Sequence, residues 1–160
     1  MKKIFVIMMA LAVMAFCNVV GAANDFADVK VMLKAAEQVL PSEAEIVSLE
    51  EEGETTLLVY VDEATMTYYD LSFNTSTLRL EKLKAQSSNI IGSTMMSKTV
   101  EDIGKIVLQE YPEAVDLEIR TVKDGLNTYY KAAFDMAGYR AVLKLNPVTG
   151  AIGERELFYK

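Results

Sequence analysis

Tyr139-Arg140-Ala141-Val142-Leu143-Lys144-Leu145-Asn146-Pro147-Val148-Thr149-Gly150 reads as a strand that runs into a tight turn. Tyr139, Ala141, Leu143 and Leu145 alternate with Arg140, Val142 and Lys144, so the first set belongs to a core and the second to an outer face. Asn146, Pro147 and Gly150 supply the turn chemistry. The same order stands earlier in the chain, as Thr67-Tyr68-Tyr69-Asp70-Leu71-Ser72-Phe73-Asn74-Thr75-Ser76-Thr77. Asn74 lies 72 positions before Asn146, and at that offset Leu71 and Phe73 fall on Leu143 and Leu145. Upstream of each stretch a helix-type pattern runs into a proline, at Leu40-Pro41 and at Tyr111-Pro112. This spacing predicts an α+β fold of two tandem helix-on-antiparallel-sheet units, each of about one helix and four strands.

The first unit is expected over 24–85. Phe26, Val29, Met32, Leu33, Ala36, Val39 and Leu40 fall at three-and-four spacing, one face of a helix that Pro41 ends. Strands follow at Ile46–Leu49, Thr55–Val61, Thr67–Phe73 and Leu78–Leu83. The second unit is expected over 99–160. Thr99 and Asp102 have capping-box spacing, and Val100, Ile103, Ile106, Val107 and Tyr111 form the apolar stripe. Its strands are Val115–Val122, Thr128–Asp135, Tyr139–Leu145 and Ala151–Tyr159. Residues 86–98 form a connector, polar at Gln86-Ser87-Ser88-Asn89 and apolar from Ile90, which packs in part.

Ahead of these units, Met1-Lys2-Lys3 is basic, Ile4 to Phe16 is apolar and Val20-Gly21-Ala22-Ala23 is small. That is the pattern of a cleaved secretory signal over 1–23, with cleavage after Ala22 or Ala23. A retained anchor is the alternative, although Asn18 and Gly21 interrupt the end of a run that needs ~20 apolar residues to span. Lipid attachment at Cys17 is disfavoured by the bulky Phe16 before it. Removal of 1–23 takes the single cysteine and Lys2 and Lys3, leaving 14 bases against 23 acids, a charge of −9. The expected location is outside the cytoplasm, periplasmic or extracellular. A chain this acidic, with no basic cluster in sequence, is a poor candidate for nucleic acid or anionic lipid.

Histidine is absent, which removes the usual general base and the commonest transition-metal ligand. Without a mature cysteine there is no thiol nucleophile and no thiolate zinc site. A Ser–Lys dyad from Ser93 or Ser97 with Lys98 is formally open, but no nucleophile-elbow pattern surrounds it. No catalytic residue, metal site or cofactor is assigned, and the chain reads as a non-enzyme. Glu50-Glu51-Glu52-Gly53-Glu54 is the densest acidic run. It suits a hard cation or a basic partner, or simply a solvated hairpin tip with no EF-hand spacing. Residues 24–86 carry 5 bases and 13 acids; residues 99–160 carry 8 and 10.

Alternation places Tyr69, Leu71, Phe73, Tyr130, Ala132 and Phe134 inward, and by the same rule Leu57, Val59 and Val61 inward. The outer face then presents Leu58, Tyr60, Tyr68, Tyr129 and Arg140, with Lys131, Val142 and Lys144 beside them. These five have the composition of a recognition surface, and equally of ordinary cross-strand stacking on a wet face. A one-residue slip of register would exchange the two faces.

The second unit resembles a PepSY-type domain. The residues that carry the likeness are Glu110-Tyr111-Pro112-Glu113-Ala114, the strand from Val115, Tyr129-Tyr130, and Leu145-Asn146-Pro147-Val148-Thr149-Gly150-Ala151-Ile152. The first unit keeps Pro41 but has Leu78 where the turn glycine would stand. The paired arrangement is similar to the PepSY-like, β-lactamase-inhibitor-protein-like proteins of the bacterial envelope. The resemblance implies a non-catalytic binding module for an envelope protein or peptide, and inhibition or regulation of a peptidase as its specific form. The alternative is a self-associating structural envelope protein, a homodimer paired through sheet edges.

Overall fold

A computed structural model describes residues 22–87 and 91–160. The expected signal segment lies outside the described residues except for its last two positions. Among the described residues no helix is long and apolar enough to cross a membrane. The elements run α1 (Ala22–Ala36), β1 (Glu45–Glu52), β2 (Thr55–Asp62), β3 (Thr67–Asn74), β4 (Leu80–Ser87), α2 (Val100–Glu110), β5 (Val115–Asp124), β6 (Asn127–Asp135), β7 (Tyr139–Leu145) and β8 (Ile152–Tyr159).

The expected two units, each of one helix and four strands, are not what forms; the sequence leaves open whether their sheets join. All eight strands lie in one antiparallel sheet, in the order β1-β2-β3-β4-β8-β7-β6-β5. The joint is β4 against β8, with Lys82 opposite Phe158, Leu83 opposite Leu157, Lys84 opposite Glu156 and Gln86 opposite Glu154. The physical reason lies in these two strands. Each would be a bare edge if its half stood alone, and a bare edge is an open template for pairing. Both send an aliphatic side chain to one face, and to the other β4 sends Lys82 and Lys84 while β8 sends Glu154 and Glu156. Shape and charge therefore match across the joint.

Both helices cover the same face. Met32 and Ala36 of α1 pack on Leu58, Tyr60, Leu71, Phe73, Leu83 and Ala85. Ile103 and Val107 of α2 pack on Tyr130, Ala132, Phe134, Ala141, Leu143 and Leu145. Leu157 of β8 touches both clusters and joins them into one core. The helix starts and stops follow local chemistry. At α2 the Asp102 amide donates to Thr99 Oγ1 at 3.2 Å, and the Thr99 amide donates to Asp102 Oδ2 at 2.9 Å, a closed capping box. At α1 the helix ends one turn before Pro41, where the Val39 amide donates to the Ala36 carbonyl at 3.1 Å; this tightening leaves Val39 exposed.

The turns after β3 and β7 share one hydrogen-bond pattern. Asn74 Oδ1 accepts from the amides of Ser76 and Thr77, and Asn146 Oδ1 from those of Val148 and Thr149. Leu78 N–H donates to Asn74 O at 2.8 Å, and Gly150 N–H to Asn146 O at 2.9 Å. Each turn needs a left-handed residue, Leu78 at φ 57° and Gly150 at φ 79°. A Cβ at Gly150 would displace the Ile106 side-chain tip and press on Lys98, and with the positive φ this favours glycine there. At Leu78 a side chain is accommodated despite the strain that a bulky residue carries in this region.

One continuous sheet predicts one cooperative unit. Leu83 is 5% exposed at the joint. Leu83→Ala is expected to cost about 2–5 kcal/mol. Hydrogen exchange should quicken in β3 and in β7 alike, and loss of protection in β1–β4 alone would show two independently unfolding halves.

Candidate interaction surface

With both helices on one side, the opposite face of the sheet carries no covering element among the described residues. Three rows of side chains cross it. The first runs Arg120, Lys131, Lys144, Glu154, Gln86, Tyr68, Val61 from β5 to β2. The second runs Glu118, Ala133, Val142, Glu156, Lys84, Asp70, Val59. The third runs Asp135, Arg140, Phe158, Lys82, Ser72, Leu57.

The structure splits the five sequence candidates. Tyr68, Tyr129 and Arg140 belong to this helix-free face, with Tyr68 48% exposed. Leu58 and Tyr60 do not, and their outward assignment is corrected. They lie opposite Leu71 and Tyr69 and are buried beneath α1. Burial, with the charge of Glu37 second, pushes the Tyr60 phenol up to about 12. Leu57, Val59 and Val61, read as core, take the helix-free face instead. The slip arose because every residue from Leu57 to Val61 is apolar, so alternation within β2 carries no information about face.

The centre of the helix-free face is a lattice of charges. Lys82 Nζ lies 2.6 Å from Glu156, Lys144 Nζ 2.7 Å from Glu154, and Lys84 Nζ 3.6 Å from Glu154. Lys82 also lies over the Phe158 ring at 5.0 Å, and Lys144 over Tyr129 at 5.7 Å. Arg140 pairs with Asp135 at 3.1 Å, and Lys160 reaches the same carboxylate at 2.9 Å. Partial burial works against the charge of Glu156, but its hydrogen bond to Lys82 and the surrounding ammonium groups outweigh it and hold its pKa below the ordinary range. The Lys160 hydrogen bond does the same for Asp135. Partial burial also opposes the Lys144 ammonium, and Glu154 outweighs it and raises that pKa.

At the β5–β7 end the charges are not balanced. Arg120 is directly opposite Lys131, and Lys131 directly opposite Lys144. Of these three only Lys144 has a carboxylate partner among the described residues. The sequence signal was present in the like charges at outward positions of three strands, but it could be read only once the strand order was known. At the other end, Glu50, Glu51 and Glu52 are exposed beside Thr55, Leu57 and Ser72. Among the described residues no three carboxylate, imidazole or thiolate groups converge on one point. Ser93 is tied by its backbone to Thr128, and Ser97 and Lys98 amides donate to Pro147 O at 3.0 Å. No hydrogen bond joins Lys98 to either serine among the described residues.

The two sheet edges are irregular. β1 carries a bulge between Ile46 and Ser48, and β5 one between Val115 and Glu118 with Asp116 at φ 53°. Bulges and charge at an edge oppose the addition of another strand. Neither edge is suited to the paired homodimer that the sequence kept open.

No family model matches the chain, and no curated protein matches it. Among solved structures, a BLIP-like protein from Bacteroides fragilis NCTC 9343 is similar at 11% identity and a TM-score of 0.35, over 82% of this chain and 86% of that one. At that score the likeness carries no argument about fold or function.

Two measurements check the face. Glu156 and Asp135 titrate below their ordinary range, so their stabilisation is complete above about pH 4–5 and is lost as pH falls through the lowered folded values. Thermal stability should be level from neutral pH to about 5 and fall below 4, and Lys82→Met should flatten that fall by returning Glu156 toward its ordinary range. Separately, Lys131→Met removes two like-charge oppositions and should stabilise by roughly 0.2–1 kcal/mol in urea unfolding. A destabilised Lys131→Met would mean that the cations are not in conflict.

Proposed function

We propose that this chain is an exported, non-catalytic module that binds a protein or peptide of the cell envelope on its helix-free sheet face. One observation carries the reading: α1 and α2 pack on the same side of an eight-stranded sheet, which leaves a continuous second face with Tyr68, Phe158, Tyr129 and Arg140 among charged rows. Aromatic and arginine side chains are the residue types that most often anchor protein interfaces. The lack of histidine in the sequence supports a binding role over general acid–base chemistry. Restraint of an envelope peptidase is the form suggested by the sequence resemblance, and location outside the cytoplasm rests on the N-terminal pattern of 1–23.

A photoreactive residue placed at Tyr68 or Arg140 tests this, with Leu108 on the exposed side of α2 as the control. Irradiation in the native envelope fraction should join one protein to positions 68 and 140 and not to 108. Adducts at all three positions alike, or at 108 alone, would remove the face from consideration.

A further inference from the structure

We infer that the β5–β7 end of the helix-free face is a receptor for an acidic segment of a protein partner, with Arg120 and Lys131 as the residues that recognise its carboxylates. This rests on the reading of the helix-free face as a binding surface and names the chemistry of what binds.

The site is a shallow depression of about 310 Å³ lined by Glu118, Ile119, Arg120, Lys131, Ala133, Arg140 and Val142. Three of the seven are cations, in a chain whose formal net charge is −7. Their placement is costly. Like charges directly opposite on neighbouring strands repel, and here Lys131 faces a cation on each side. The other cations, Arg140 of this lining included, are matched: Lys82 to Glu156, Lys84 and Lys144 to Glu154, Arg140 to Asp135. Arg120 and Lys131 have no ion pair among the described residues, although Glu118 lines the same depression. The fold therefore balances its charges at the centre of this face and leaves two positive groups free at one end.

The dimensions and surroundings narrow the occupant. Ala133 and Val142 form an apolar floor between the cations. That suits one or two carboxylates flanking an aliphatic side chain, as in a short extended Glu-Val-Glu type segment. An extended polyanion is excluded by what surrounds the depression. Glu118, Asp135, Glu154 and Glu156 ring it, and the far end of the same face carries Glu50 and Glu52. A nucleic acid or an anionic bilayer would meet these groups as soon as it extended beyond the site. An arginine suits a carboxylate, because its planar fork can bind both oxygens at once.

The test is an amide chemical-shift titration of the full chain with acetyl-Glu-Val-Glu-amide, with acetyl-Lys-Val-Lys-amide as the charge control. The acidic peptide should shift amides of β5, β6 and β7 around Arg120, Lys131 and Arg140 in a saturable way, and added salt should weaken it. Arg120→Gln/Lys131→Met should weaken binding at least tenfold while keeping the dispersed spectrum of the folded chain. Should that double variant lose its fold, Lys131→Met alone, expected to be the more stable protein, should weaken binding by a factor of three or more. The basic peptide should leave β5–β7 unmoved. Absence of saturable shifts at β5–β7, or equal binding by the variants, overturns the inference. So does a concentration-dependent shift of both β5–β7 and Glu50–Glu54 without any peptide, which would make a second copy of this chain the occupant. A partner photo-crosslinked through Tyr68 or Arg140 together with a silent peptide titration would defeat this inference alone and leave the binding module standing.

Discussion

Everything in this molecule depends on the pairing of β4 with β8. Without that ladder there would be two four-stranded sheets, each with one helix and two open edges. With it, Leu83 meets Leu157, and Leu157 packs against both apolar clusters, so the two halves share a core. On the other face the same pairing brings Lys82 and Lys84 to Glu154 and Glu156. The half-exposed Lys82–Glu156 pair contributes about 0–1 kcal/mol, less than the aliphatic contacts behind it, and Glu154 is buried against its lysines. The stronger effect of these pairs is on choice of partner strand. A slip by one residue would turn one strand over, putting its leucine, Leu83 or Leu157, into water and its two charges under the helices, so both faces reject it together.

The order of elements could be read from the chain, and the way they assemble could not. Asn74 and Asn146 marked two turns that the structure builds with the same hydrogen bonds, and Thr99 with Asp102 marked the start of α2. The joint between halves has no local signature. Leu80–Ser87 and Ile152–Tyr159 are far apart in sequence, and nothing in either alone says that it seeks the other. Their opposite charges carried the information, which becomes visible only when both strands are considered as candidates for one ladder. That is why two tandem units were the expectation, with the joining of their sheets left open, and one eight-stranded sheet was the outcome.

The inverted strand β2 shows a second limit. Alternation assigns faces only where polar and apolar residues differ, and Leu57 to Val61 are all apolar. The deciding constraint was the hairpin to β3. Asp62 pairs with Thr67, which fixes Leu58 opposite Leu71 and Tyr60 opposite Tyr69. Asp62 sets that turn by accepting the Ala64 amide at 2.9 Å and the Thr65 hydroxyl at 2.8 Å. Once β3 is known to send Tyr69, Leu71 and Phe73 to the core, the partners Tyr60, Leu58 and Thr56 must follow. The free face therefore loses Leu58 and Tyr60 and gains Leu57, Val59 and Val61, while Phe158 of β8 supplies an aromatic that the sequence reading had not placed there.

These corrections change where a partner can land. The centre of the free face holds Lys82, Lys84, Lys144, Glu154 and Glu156 in mutual contact. Covering it with protein would strip water from ions whose desolvation costs several kcal/mol apiece, against a modest apolar return from Val142 and Phe158. The lattice thus keeps the middle of the sheet wet and discourages two such faces from stacking. The ends are different. Around β2 the face is aliphatic beside an acidic hairpin, and around β5–β7 it is cationic with an aliphatic floor. A sheet whose two ends differ in charge and whose middle resists burial would favour contact at one end over contact across its centre.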